Sequence, residues 1–244
     1  DLMTNGVEIA RVAQEAGVGF FCTTVTPTDA VAARACFATC PNVRVGTGLH
    51  PWWIADGTCG EQDAREAAAR AAHTAYLGEV GLDAGKRGAA SIEAQTRAFG
   101  RIMEAASAHP LPGRIASIHA IRSASRVLDI LERTGAARTV TCVFHWFSGS
   151  TDELWRAVRT GCLFSINEHM LATKRGREYA RILPADRLLL ETDAPPELHA
   201  PYSLEGIERS LTTSLTRLAE IRGADPAALG ADIAARSARL LDLA

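Results

Sequence analysis

Apolar residues along this chain fall into two alternating patterns. Short dense runs end at glycine, proline or a polar residue, and between them apolar positions recur every third or fourth residue. The dense runs are GFFCTTV (19–25), VRVGT (43–47), AYLGEV (75–80), IASIH (115–119), TVTCVF (139–144), CLFSI (162–166) and LLLET (188–192). Their length and β-branched content predict strands. The helical periodicity predicts helices over 29–39, 61–73, 92–108, 125–134, from 151, 175–182, 204–222, and from Pro226 to Leu243. Local signals support several ends. Ser150 with Glu153 forms a capping box, and Asp225 precedes Pro226 at the first helical position. At the amino end, Asn5 with Glu8 predicts a capped helix that Gly17 stops.

Strands alternating with helices throughout imply a parallel sheet, and the regularity favours an α/β fold of the TIM-type β/α barrel class over an open sheet. No repeat, low-complexity tract or linker divides residues 1–244, so a single barrel domain is expected. Seven strands can be placed where such a barrel has eight. Because the chain opens on a helix, the expectation is that the first strand lies upstream of Asp1.

Charge and composition then narrow the function classes. A net charge of −2 gives no global field for duplex nucleic acid, so any such contact is local. Mean hydropathy near zero and the lack of an apolar run of roughly 20 residues argue against a membrane partner. No secretory signal is visible, and the six cysteines form no CxxC pair, which together predict a cytoplasmic protein. Cys36 and Cys40, four apart, are expected to be two buried thiols on one helix face.

Four stretches carry the chemistry: GLHPWW (48–53), LGEVGLD (77–83), VFHWFSGS (143–150) and LLLETDAP (188–195). In each, an apolar run ends on a histidine or an acid that packing does not require. With His119, the residues His50, Glu79, His145 and Asp193 fall at or just past the carboxyl ends of five strands, where a barrel builds its site. Imidazole with carboxylate, without thiolate, suits one or two divalent ions such as magnesium, manganese or zinc. Glu79 could bridge two ions, His119 and His145 could ligate one, and Asp193 could hold a metal-activated water and take its proton. The reaction class is metal-assisted hydrolysis. Glu191, two residues before Asp193, shares its side of the strand and is a candidate supporting partner for a ligand histidine. His73 and His109 lie near helix ends and read as structural.

In this order, GLHP, GEVGLD, SIHAIRSA, FHWFSGS and LLLETDAP resemble the TatD family of metal-dependent deoxyribonucleases, with SARLL (237–241) similar to its last helix. The resemblance implies a β/α barrel and a divalent-metal phosphodiesterase. It also implies exonuclease action on DNA, single-stranded or at 3′ ends. Glu79, His119, His145 and Asp193 are carried over as metal ligands, Glu79 and Asp193 as catalytic, and His50 as a residue near the substrate phosphate. Three features depart from the family pattern. The paired histidines of the family's first strand are absent, consistent with the strand expected upstream. Ile121 stands where the family has an arginine, which moves the candidate phosphate contact to Arg122. Trp146 replaces a small residue and, with Trp52 and Trp53, could form a rim on which a base stacks. These variants are similar to the TatD-like subgroup of bacterial anti-phage cassettes known as QatD, which implies a role in defence with partner proteins. Two other readings remain open: a metal-dependent amidohydrolase-type enzyme acting on a small molecule, and a metal-deficient barrel that works as a binding subunit.

Overall fold

The computed structural model describes residues 3–197 and 199–243, which divide into two compact units. One comprises Cys22–Ala35 and Val45–Leu163. In it β3 (Thr47–Leu49), β4 (Tyr76–Asp83), β5 (Ile115–Ile121) and β6 (Thr141–His145) lie side by side in chain order, all parallel. Helices return the chain between them, as parallel pairing requires. The helix Ile92–Ala108 buries Phe99, Ile102 and Met103, and the helix Ala124–Thr134 buries Val127, Leu128 and Leu131, each at 1% exposure or less. This is the apolar stripe that the periodicity predicts.

The other unit comprises Asp1–Phe21, Cys36–Arg44 and Phe164–Ala244. Most of β7 (Leu163–Ile166) belongs to it and pairs in parallel with β8 (Leu188–Leu190). The helix Leu204–Arg222 has the predicted bounds, and Arg222 closes on the carbonyls of Ala180 and Leu183 at 2.6 and 2.9 Å. Asp225 caps the last helix through the amides of Ala227 and Ala228, and Ser150 with Glu153 forms the capping box expected of it in the first unit.

Four local expectations need correction. Asn5 precedes the helix Gly6–Glu15 but its side chain does not cap it. Its amide and carbonyl exchange hydrogen bonds with the backbone of Tyr202 at 2.9 and 3.0 Å, a bidentate tertiary bond that competes with the local cap. The run 43–47 is two strands, β2 (Val43–Val45) and β3, broken at Gly46, and β2 pairs instead with β1 (Phe20–Cys22). Cys36 is exposed at the end of its helix, while Cys40 is buried beyond it. A short helix at Pro51–Ala55 was not foreseen.

Thr24 explains the break at Gly46. Its hydroxyl donates to the Gly46 carbonyl at 2.8 Å and accepts from the Gly48 amide at 3.1 Å, while its own backbone bonds both Gly78 and Glu79. A Cβ on Gly48 would lie 1.6 Å from the Thr24 carbonyl oxygen. The glycine of GLHP is therefore a condition for Thr24 to lock β3 and β4 together just where Glu79 emerges.

Candidate metal centre

The end of β4 and the loop after β3 build the site within one unit. His50 is the N-cap of the helix Pro51–Ala55, and its Nδ1 accepts from the Trp52 amide at 3.2 Å. This leaves Nε2 facing Glu79 Oε1 at 3.5 Å. His119, in β5, places Nδ1 2.9 Å from the same oxygen and Nε2 3.3 Å from Asp83 Oδ2. A ligand atom from each of His50, Glu79 and His119 lies within 4.8 Å of the others. Gly81 permits this approach, for a Cβ there would stand 2.1 Å from the His119 carbonyl oxygen.

Burial and charge act in opposition on these groups. Burial alone would push the Glu79 carboxyl up, but the charge of His145 and hydrogen bonds from His119 and His50 hold it well below the usual carboxylate range. His50, at 5% exposure, is pushed down by burial despite Glu79. For His119, burial works downward but the bonds to Asp83 and Glu79 outweigh it, and the imidazole is raised. His145 is the last residue of β6 and acts electrostatically on Glu79, His50 and His119.

Asp83 is the residue that sequence reasoning missed. It lies inside β4 and is buried at 3% exposure. Oδ2 accepts from the Trp52 indole at 2.5 Å, Oδ1 accepts from the Gly85 amide at 2.6 Å, and the Asp83 amide donates to Gln95 Oε1 at 2.7 Å. Against the upward push of burial, bonds from His119, Trp52 and Gly85 hold its carboxyl at about 2. The signal was the LD pair closing LGEVGLD, beyond the expected strand 75–80, which the structure extends to Asp83. Trp52 is correspondingly not free to stack on its Arg87 side: that guanidinium lies 4.2 Å from the ring centroid. Trp53 packs edge-on to His50, with centroids 5.5 Å apart.

Two buried imidazoles and a half-buried carboxylate, converging, fit a divalent ion by donor chemistry. The bond from the Trp52 amide to His50 Nδ1 puts the proton of the neutral ring on Nε2, which suits His50 to donating a hydrogen bond better than to ligation. His119 has the opposite aptitude. With Nε2–H directed at Asp83, its Nδ1, bonded to Glu79 at 2.9 Å, would give up its proton to ligate an ion beside Glu79, the carboxylate–histidine–metal arrangement.

The remaining predicted residues are Arg122, Trp146, Asp193 and Glu191. Arg122 directly follows β5, Trp146 follows β6 and Asp193 comes shortly after β8, and all three have left-handed backbone, with φ of 51°, 40° and 55°. Non-glycine residues rarely adopt this conformation, and clusters of it accompany function. Arg122 lines a depression of about 290 Å3 with Ser125, Arg126 and Glu153. Asp193 is exposed and belongs to the second unit, as does Glu191. The Glu191 carboxylate accepts from Ser165 Oγ and Asn167 Nδ2, both at 2.9 Å.

Comparison with known proteins decides the family. The sequence profile described as TatD-related DNase matches residues 3–242. The chain belongs to this family. Among its TatD relatives, a protein of Citrobacter koseri named 3′-5′ ssDNA/RNA exonuclease TatD is 30% identical over 205 residues, covering 81% of this chain and 77% of the relative. A TatD homologue of Escherichia coli K12 superposes with a TM-score of 0.78 at 21% identity, over 97% of this chain and 92% of that one. A TatD-family hydrolase of Entamoeba histolytica gives 0.74 at 13% identity, over 100% and 91%. The chain thus has the parallel α/β fold of the TatD β/α barrels, and it is a TatD-family hydrolase with a candidate His50–Glu79–His119 metal site. Among the described residues no helix is long and apolar enough to cross a membrane.

Proposed function

We propose that this TatD-family chain is a divalent-metal-dependent exonuclease that hydrolyses phosphodiester bonds of single-stranded DNA from the 3′ end. The observation that carries the reading is the converging His50–Glu79–His119 cluster, its imidazoles buried and His119 braced by Asp83, in a chain matched to this family over nearly its whole length. Glu79, His119, His145 and Asp193 are the proposed ligands, and magnesium, manganese or zinc fits the donor set. Such an ion, when bound, supplies Lewis acidity toward phosphoryl oxygen.

The chain's own residues do the rest. His50 Nε2–H donates to a phosphate oxygen, Asp83 orients His119, and Asp193 takes the proton of the attacking water. Arg122 contacts a phosphate and Trp146 offers a face to a base, while Glu191 supports Asp193. The QatD-like reading, with a cytoplasmic role in anti-phage defence alongside partner proteins, rests on the substitutions at Ile121 and Trp146.

The test uses purified protein with magnesium or manganese and single-stranded DNA labelled at its 5′ end. Expected is a ladder that shortens from the 3′ end, is abolished by chelation and restored by metal, and is lost in Asp193→Asn. Intact DNA with every metal tried, from protein shown to be folded, overturns the reading.

A further inference from the structure

A second charged site lies in the same unit, at the other ends of the strands. Thr47 begins β3 and Thr74 precedes β4. Between them, Arg34 Nη2 donates to both Thr hydroxyls at 2.8 Å. These acceptors are neutral, and among the described residues no carboxylate pairs with Arg34. A guanidinium carries five N–H groups in a rigid fork, so the Nε–H and both Nη1–H groups of Arg34 have no protein acceptor there.

The surroundings add positive charge. Arg34 opens on a depression of about 390 Å3 lined also by Glu66, Arg70 and His73. Arg70 binds Glu66 Oε1 at 2.9 and 2.6 Å, which takes the one carboxylate of the rim. Behind Thr74 lies Arg114, 1% exposed, whose guanidinium donates only to backbone carbonyls: Thr74 at 2.9 Å, His109 at 2.7 Å, Ala72 at 3.3 Å, and Ala106. Three guanidinium groups therefore gather around Thr74 against one carboxylate. Like charges in a partly desolvated place repel unless something compensates them. His73 is exposed on the rim and stacks beside His109 with centroids 6.1 Å apart. Neither histidine is absorbed by the proposed chemistry of the metal centre.

We infer that this depression binds a phosphate-group dianion, with Arg34 as the anchoring cation and Arg70 and His73 as the rim. With both Nη2–H groups held by the threonines, Arg34 offers its Nε–H and Nη1–H groups as single charge-assisted donors to phosphate oxygens. The volume admits either inorganic phosphate or a nucleoside monophosphate. The site is separate from the nuclease reading, because none of its residues belongs to the metal centre.

The experiment titrates chelator-treated protein with inorganic phosphate and, in a second arm, with a deoxynucleoside 5′-monophosphate, reading calorimetric binding and the rise in Tm. Saturable binding is expected in at least one arm. Arg70→Gln and His73→Gln, both toward the surface, each weaken it several-fold, and Arg34→Lys weakens it about tenfold, the worth of one or two charge-assisted bonds. Arg70→Gln keeps wild-type nuclease activity. Equal affinity in the two arms assigns the site to the phosphate group alone, and tighter binding of the nucleotide assigns it to a nucleotide. Absence of binding at roughly 100 times physiological phosphate, or binding that survives Arg70→Gln and His73→Gln but is lost in Glu79→Gln, overturns the inference.

Discussion

The ends of β4 and β8 read alike in the sequence, each an apolar strand running into two carboxylates, yet they are built on different principles. At β4 both acids are largely withdrawn from water, Asp83 buried and Glu79 half-buried: Glu79 is held between His50 and His119, and Asp83 between His119, Trp52 and Gly85. At β8 the nearer acid, Glu191, is held by Ser165 and Asn167, while Asp193 is exposed on left-handed backbone. A buried charge needs partners that neutralise it whether or not a ligand is present, and so becomes part of the fold. An exposed one keeps much of its hydration and depends less on such partners, so chemistry can shape it more freely. The two ends should accordingly respond to mutation in different currencies, stability at one and rate at the other.

The largest effect expected is on the backbone that sets β4. Gly48→Ala drives a Cβ into the Thr24 carbonyl, and the strand pair cannot relax because Thr24 bonds both sides of it. Loss of several kcal/mol, seen as insoluble protein or a collapsed Tm, is expected, since overpacking against backbone costs more than the usual 1–3 kcal/mol. Retention of wild-type Tm would show that β3 and β4 are not locked there. Next come Glu79→Gln and Asp193→Asn. Both should lower turnover by roughly 10²–10³-fold, but the first should also lower stability, by about 1–3 kcal/mol, because Glu79 is a largely desolvated charge bonded to two imidazoles whereas Asp193 is exposed. Thermal melts beside single-turnover rates separate them. Equal Tm losses would erase the distinction between the ends.

Asp83→Asn ranks below these. It keeps the shape and the Trp52 bond but gives up the charge that orients His119, and supporting partners of this kind are worth about 10–100-fold in metal affinity or activity. The expected signature is a rise in the metal concentration needed for half-maximal rate, checked by titrating manganese. A fall in rate with unchanged metal dependence would assign Asp83 to packing.

How much of this was legible depends on how local the cause is. The capping box at Ser150–Glu153, the Asp225–Pro226 start and the helix Leu204–Arg222 were readable because each is decided by neighbours a few residues apart. The metal-centre residues were readable as oddities, since polarity at the end of an apolar strand needs a reason. Asp83 was not, because its meaning comes from an indole 31 residues earlier and an imidazole 36 residues later. Thr24 was hidden likewise, a threonine in a strand until the glycines facing it are seen. Asn5 shows the converse: its local signature was sound, but a bidentate bond to Tyr202, 197 residues away, took the side chain instead.

Arg122 offers the finest test, at a third strand end that resembles β8. Its backbone has φ 51°, it is exposed, and among the described residues its side chain has no ion pair or hydrogen bond. Left-handed backbone costs a residue with a Cβ about 1–2 kcal/mol, whereas glycine adopts it freely and adds about 0.5–1 kcal/mol of entropy to the unfolded chain. Arg122→Gly should therefore leave stability unchanged or raise it by less than about 1 kcal/mol, opposite in sign to an ordinary surface Arg→Gly change in a strand or helix. If the guanidinium contacts substrate phosphate, the same variant should raise KM for single-stranded DNA several-fold and flatten its salt dependence, with kcat little altered. A stabilised variant with unchanged KM would mean that the strained conformation serves the turn after β5 and not the substrate. A destabilised one would mean that Arg122 is braced as the β4 end is, and the contrast between buried and strained strand ends would fail at its third example.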